Sequence, residues 1–118
     1  MPVLKWMLPL LFAAAPALAD NPRIVDVQAR ASASGWTFNV TVAHADTGWD
    51  HYADGWEISA PDGTVLGHRT LTHPHVNEQP FTRSLSGVAI PDAVQDVQVR
   101  AHDTVHGWGE MQSFTLPR

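Results

Sequence analysis

The sequence has no cysteine, and its only lysine is Lys5. The fold therefore has no disulfide to stabilise it in an oxidising compartment, and the protein has no thiol nucleophile. The sequence also has no run of basic residues, and it is acidic, with 12 acidic residues against 7 lysines and arginines. An acidic chain of this kind is a poor match for nucleic acid or for an anionic membrane, so we expect neither as a partner.

Residues 1–19 have the three parts of a secretory signal peptide. Lys5 supplies the positive start, residues 6–12 form a short apolar run, and residues 17–19 (ALA) form a small-residue cleavage site. The apolar stretch falls short of the roughly 20 residues that span a bilayer. No cysteine follows it, which excludes a lipid anchor at that point. We therefore predict a signal peptide over 1–19, one domain over 20–118, and a periplasmic or secreted protein without membrane contact after cleavage.

Motifs of the common enzyme classes are missing from the sequence. It contains no Gly-x-Ser-x-Gly, no phosphate-binding glycine loop and no His-Glu-x-x-His. The catalytic alternative is a metal-bound water beside a His–Asp pair, but nothing in the sequence positions a substrate for it. We expect a non-enzymatic binding or accessory module.

Alternation of apolar and polar residues is the dominant pattern in the mature chain. It is clearest over 24–31, 36–44 and 97–102, where it predicts half-buried strands with Val25 and Val27 on the inward side of the first. Weaker strand candidates are residues 55–60, 64–70, 81–86 and 111–116. No stretch has helical periodicity with a cap. Seven short strands separated by turn signals predict an all-β fold, an antiparallel β-sandwich.

Residues 97–101 (VQVRA), a short loop and then residues 107–110 (GWGE) resemble the sixth strand, loop and seventh strand of fibronectin type III and related immunoglobulin-like domains. Trp36 and Trp56, on the second and third predicted strands, fit the core tryptophans that such domains often carry. Gln95 stands where the family usually has a tyrosine. The resemblance implies an immunoglobulin/fibronectin-III-like sandwich of about seven strands, as in exported bacterial proteins, and implies no function.

Six of the seven histidines fall within three short segments, 44–51, 73–75 and 102–106. Each segment follows an even-numbered predicted strand. If the strands run up and down, all three segments lie in loops at the same end of the sandwich. End loops are where a rigid sandwich usually presents its recognition residues.

We predict that this end binds a divalent metal ion. Neutral imidazole is a preferred ligand of Zn(II), Cu(II) and Ni(II), and carboxylates can bind the ion or orient the rings. His73-Pro74-His75 is the best pair, because an extended i, i+2 pair points both rings to one side. The lack of cysteine disfavours a Cu(I) carrier. The candidate metal ligands are His51, His73, His75, His102, His106, Asp50 and Asp103.

Two alternatives remain open at this point. The histidines and acids can form a structural hydrogen-bond network, with His44 closing the end of the core and His68 a plain surface or edge residue. The other alternative is a protein- or glycan-recognition module that uses Trp49, Tyr52 and Trp108, unless these rings fold over the core end as a lid. The sequence does not identify the partner or the oligomeric state.

Overall fold

The computed structural model describes residues 21–118, which form eight β-strands in two antiparallel sheets and contain no helix. The strands are β1 (Arg23–Ser32), β2 (Gly35–Ala43), β3 (Ala53–Ser59), β4 (Val65–Thr70), β5 (Phe81–Val88), β6 (Asp96–Asp103), β7 (Gly107–Trp108) and β8 (Gln112–Thr115). One sheet has the order β1-β2-β5; the other has the order β4-β3-β6-β7, with β8 also paired to β6. The predicted signal peptide, 1–19, lies outside the described residues.

The core lies between the two sheets and confirms the predicted β-sandwich. Every second residue of β2 is buried, from Trp36 to Val42, and β6 alternates in the same way. Trp56 on β3 is fully buried at the centre, so both predicted core tryptophans are in the core. Alternate burial of this kind is what two face-packed sheets require of their strands.

The last predicted strand, 111–116, corresponds to β8, and the shorter β7 lies in the segment 107–110 that resembles a seventh strand; both pair with β6. Between them the backbone of Gly109 lies against Pro22, and a Cβ at Gly109 would overlap the carbonyl oxygen of Pro22. Only glycine fits such a close approach. The described chain therefore has eight strands rather than about seven.

The predicted inward position of Val25 is wrong. The pairing of β1 with β2 shifts register between Ile24 and Asp26, and this bulge turns the Val25 side chain outward, where it is 50% exposed. Ile24 packs against the core in its place. Because side chains alternate with period two, one extra residue in a strand moves its neighbours to the opposite face.

Antiparallel pairing places three loops at one end of the sandwich. These are residues 44–52 between β2 and β3, residues 71–80 between β4 and β5, and residues 104–106 between β6 and β7. We call this end the histidine end.

The described part of the chain has no helix with the length and apolarity needed to cross a bilayer.

Candidate metal centre

Two inward-facing polar residues form the base of the candidate centre. His44 follows β2 and Asp103 ends β6, and each continues the buried alternation of its strand. Both side chains are 0% exposed, and His44 Nε2 lies 3.0 Å from Asp103 Oδ2. The two sheets thus contribute one residue each to a polar pair that closes the core at the histidine end.

Three imidazoles converge on a single oxygen of Asp103. Besides His44, the ring atoms His51 Nε2 and His106 Nδ1 lie 3.3 and 3.1 Å from Oδ2. One ligand atom each from His44, His51 and Asp103 lies within 4.8 Å of the other two, and residues 21–118 hold no other trio of this kind. The His51 and His106 rings are partly exposed, so the cluster opens to solvent on their side.

The turn after β6 is built on the same carboxylate. Asp103 Oδ1 accepts hydrogen bonds from the backbone N–H groups of Val105 (2.8 Å) and His106. Burial raises the pKa of Asp103, but hydrogen bonds from His106, from Val105 and from the His51 ring outweigh burial and lower it to about 2. Asp103 is therefore an ionised carboxylate at neutral pH.

Asp46 fixes the orientation of the His44 ring. Its Oδ1 lies 2.6 Å from His44 Nδ1 and accepts the backbone N–H of Ala53 at 3.0 Å. Its Oδ2 accepts the backbone N–H of His75 at 2.7 Å. An N–H at Nδ1 bound to a carboxylate leaves Nε2 as the ligand atom, which is the usual arrangement around a metal-binding histidine.

The predicted pair His73 and His75 lies beside this centre rather than in it. The two rings are 4.6 Å apart, and the His75 ring stacks on Phe81 at 3.9 Å. His75 is 5% exposed, and neither of its ring nitrogens has a hydrogen-bond partner among the described residues. Burial lowers the pKa of His75, and the nearby charges of Arg83 and His73 lower it further. The backbone N–H of His75 is hydrogen-bonded to Asp46 Oδ2, and its Nδ1 lies 3.9 Å from the same oxygen, too far for a hydrogen bond.

Two other predicted ligands point elsewhere. His102 lies on the outer face of the larger sheet, where its Nδ1 is 2.6 Å from Asp54 Oδ1. Asp50 is exposed in the turn that precedes His51. His68 is exposed on the edge strand β4, as expected.

The three predicted recognition aromatics form two separate groups. Trp49 and Tyr52 contact each other edge to face at 5.6 Å in the loop before β3. Trp108 instead contacts His102 and the guanidinium of Arg100 on the outer face of the larger sheet. Trp49 is 67% exposed, so it does not fold over the core as a lid.

The ligands predicted from the sequence do not include His44 and Asp46. The signal for His44 was its position on the inward side of β2, which the alternation had already indicated. The signal for Asp46 was weaker, an acid two residues after a buried histidine. Of the seven predicted ligands, the structure brings His51, His106 and Asp103 together.

Comparison with known proteins gives a partial match. No family model matches the chain, and no solved structure matches it significantly. A protein of Halomicrobium mukohataei named "Putative lipoprotein" is 44% identical over 72 residues, which are 61% of this chain and 35% of that protein. The match spans about a third of the relative, so it assigns no family.

Proposed function

We propose that this protein is an exported, non-enzymatic binding or accessory protein that holds one divalent transition-metal ion at the histidine end. The ligands are His44, His51 and Asp103, and His106 completes the set. The observation that carries the proposal is the convergence of three imidazoles on one buried carboxylate oxygen.

The distances from the three imidazole nitrogens to Asp103 Oδ2 match the spacing of ligand atoms around a tetrahedral ion. Ligand atoms about 2.0–2.2 Å from such an ion lie roughly 3.3 Å from one another. The three imidazole nitrogens are 3.0, 3.3 and 3.1 Å from Asp103 Oδ2. The ligand atoms of His44, His51 and Asp103 all lie within 4.8 Å of one another, whereas His106 is outside that group, so its partly exposed ring has to move towards the ion to complete the set.

The two carboxylates that face the ring nitrogens of His44 also favour a bound metal ion. A neutral imidazole carries one N–H, yet both nitrogens of His44 face buried carboxylates, those of Asp46 and Asp103. With the proton on Nδ1, the Nε2 lone pair faces a carboxylate oxygen, which is repulsive. A metal ion bound by both atoms turns this repulsion into attraction.

The donor set restricts the metal. Three imidazoles and one carboxylate suit Zn(II), Cu(II) or Ni(II), whereas Ca²⁺ and Mg²⁺ prefer oxygen ligands and Cu(I) prefers sulfur. No cysteine exists in the sequence to supply a thiolate. We assign the site to one of these three ions.

Two separate observations support the proposal that this protein is exported. Residues 1–19 have the pattern of a signal peptide, and the name of the Halomicrobium relative suggests a protein of the cell envelope. We place this protein in the periplasm or outside the cell, where it serves a partner that is still to be identified. The fibronectin-type-III-like relationship stays a prediction, because no family model matches.

Calorimetry on the chelator-stripped protein tests the metal site, with Zn(II), Cu(II) and Ni(II) titrated separately and the bound ion counted by mass spectrometry. We expect one ion per chain. His51→Ala removes a ligand from a partly exposed position and should weaken binding by more than about a hundredfold, since loss of a mere orienting partner already costs about 10–100-fold. His68→Ala is the matched control and should bind as the wild type does.

Two further results decide between the candidate ligand sets. The double variant His73→Ala/His75→Ala should keep its metal, because the rings of His73 and His75 lie outside the proposed ligand set. Binding lost in this variant and kept in His51→Ala would move the site to the other pair. A wild-type protein that binds none of the three ions would leave the structural network as the explanation.

A further inference from the structure

We infer that the outer face of the larger sheet holds a second site, which binds a neutral pyranose sugar against Trp108. A cavity of about 330 Å³ opens there, and it shares no lining residue with the proposed metal ligands. Its lining residues are Asp54, Gly55, His68, Thr70, His102 and Trp108. The inference does not depend on metal binding.

Trp108 is held in place as a platform. The guanidinium carbon of Arg100 lies 4.2 Å from the centre of the indole ring. Arg100 is itself fixed by Glu57, with Nε and Nη2 at 2.9 and 2.8 Å from Oε1, and Glu57 is only 6% exposed. Acidic side chains are rarely buried unless they are paired. This ion pair supports the Trp108 indole, which stays 38% exposed. A sugar ring can therefore bind to the indole without the entropic cost of ordering the Trp108 side chain.

Polar groups surround this aromatic surface. Asp54 Oδ1 lies 2.6 Å from His102 Nδ1, and the His102 ring meets Trp108 nearly at right angles at 4.9 Å. His68 and Thr70, on β4, add a second imidazole and a hydroxyl on the other side of β3. Hydrogen-bond donors and acceptors beside an aromatic surface match a sugar ring, which presents C–H groups on one face and hydroxyls at its edge.

Gly55 keeps the floor of the cavity open. It pairs with Thr70 on one side and with His102 on the other. A Cβ at Gly55 would lie 3.2 Å from the carbonyl oxygen of Arg69 and 3.2 Å from Cε1 of His68. A methyl group at this position would therefore narrow the cavity from below, which gives a direct way to block it.

The charges of the cavity indicate a neutral ligand. None of its lining residues is lysine or arginine, and the guanidinium of Arg100 is already paired with Glu57. A phosphorylated or sulfated sugar would find no free cation there. A metal is disfavoured as well, since within residues 21–118 the metal-binding trio lies at His44, His51 and Asp103. At about 330 Å³ the cavity is near the lower end of known ligand sites, about 300–1,000 Å³, and suits a small ligand.

Saturation-transfer NMR and tryptophan fluorescence test the site. The chelator-treated protein is titrated with methyl β-D-glucopyranoside, methyl β-D-galactopyranoside and N,N′-diacetylchitobiose. We expect at least one probe to bind in the millimolar range, with saturation concentrated on the C–H groups of one sugar face. Trp108→Ala and Gly55→Ala should each weaken binding at least tenfold. Trp49→Ala removes a more exposed indole from the loop before β3 and should leave binding unchanged.

The proposal is overturned if none of the three probes binds, or if Trp49→Ala abolishes binding and Trp108→Ala does not. Tighter binding of glucose 6-phosphate than of the glucoside would contradict the neutral assignment. If Trp108→Ala does not fold, His68→Ala serves instead, because His68 is exposed and lines the cavity. His51→Ala should bind sugar as the wild type does, which separates failure of this site from failure of the metal centre.

Discussion

Asp46 acts on the candidate centre through another residue, because its carboxylate contacts His44 Nδ1 and not the proposed ion. Asp46→Asn keeps the size of the side chain and removes the charge that orients the imidazole. We expect metal affinity to fall by about 10–100-fold, the usual effect of losing such a partner. Calorimetric titration of the variant, with circular dichroism to verify that it folds, measures this change.

Asp50 provides the matched control for Asp46. It lies in the same loop and was predicted from the sequence as a ligand, but it is exposed in the structure. Asp50→Asn should leave the metal affinity within about twofold of wild type, as expected for an exposed group outside the site. A loss as large as that of Asp46→Asn would mean that loop charge, rather than ring orientation, controls binding.

His75 should make the fold sensitive to mild acid. Burial lowers its pKa below the ordinary value of 6.5, so the unfolded chain binds a proton more readily than the folded protein does. The stability that neutral His75 contributes is complete above pH 6.5 and is lost as the pH falls through its lowered pKa. His75→Phe preserves the flat stack on Phe81. Urea unfolding at pH 8 and pH 5 should show a smaller loss of stability in this variant; an equal loss would contradict the assignment.

The composition of the site was only partly predictable at the level of residues. Alternation along β6 places Asp103 inward and His102 outward, so sequence alone could have separated these two candidates. It could not separate His51 from His73, because both lie in irregular loops where no period relates position to direction. The distances that decide between them arise from contacts between loops that are far apart in sequence.

The turn that joins β6 to β7 depends on the charge of Asp103. Its pKa of about 2, below the ordinary 3.8, corresponds to about 2 kcal/mol of stability at neutral pH. This contribution is complete above pH 4 and is lost as the pH falls towards 2. Asp103→Asn should therefore be less stable than wild type at pH 7, by about that amount, with the difference shrinking in acid. Urea unfolding in the presence of chelator at pH 7, 4 and 2 measures it, and a difference independent of pH would contradict it.

The bulge in β1 predicts different effects on stability for substitutions of Val25 and Val27. Val27→Ala removes a buried side chain and should destabilise the fold by about 1–3 kcal/mol. Val25→Ala removes an exposed one and should stay within about 0.5 kcal/mol of wild type. Denaturant unfolding of both variants tests the register, since plain alternation predicts equal effects. The alternation predicted the position of β1 in the sequence. It could not predict the bulge, because a bulge is defined by the pairing with β2.

The shared position of the three histidine loops was predictable because it follows from counting the strands. Strand direction reverses from each strand to the next along the chain, and this parity places the three histidine loops at one end. The division into sheets of three and five strands was less accessible, since it depends on the pairing of β2 with β5 and of β3 with β6, which are far apart in sequence. Topology thus determined which loops meet, and packing determined which side chains touch.

A metal ion at the histidine end should stabilise the whole sandwich, because His44 follows a strand of one sheet and Asp103 ends a strand of the other. At an ion concentration of about 100 times Kd, binding adds about 2.7 kcal/mol, which is roughly 10–20 °C in Tm for a domain of this size. The shift should be smaller at pH 5 than at pH 8, since the imidazoles must lose their protons to bind. Calorimetric scans with ion, with ion and chelator, and on His51→Ala test this. An equal rise in Tm for His51→Ala would show that the ion acts elsewhere on the molecule.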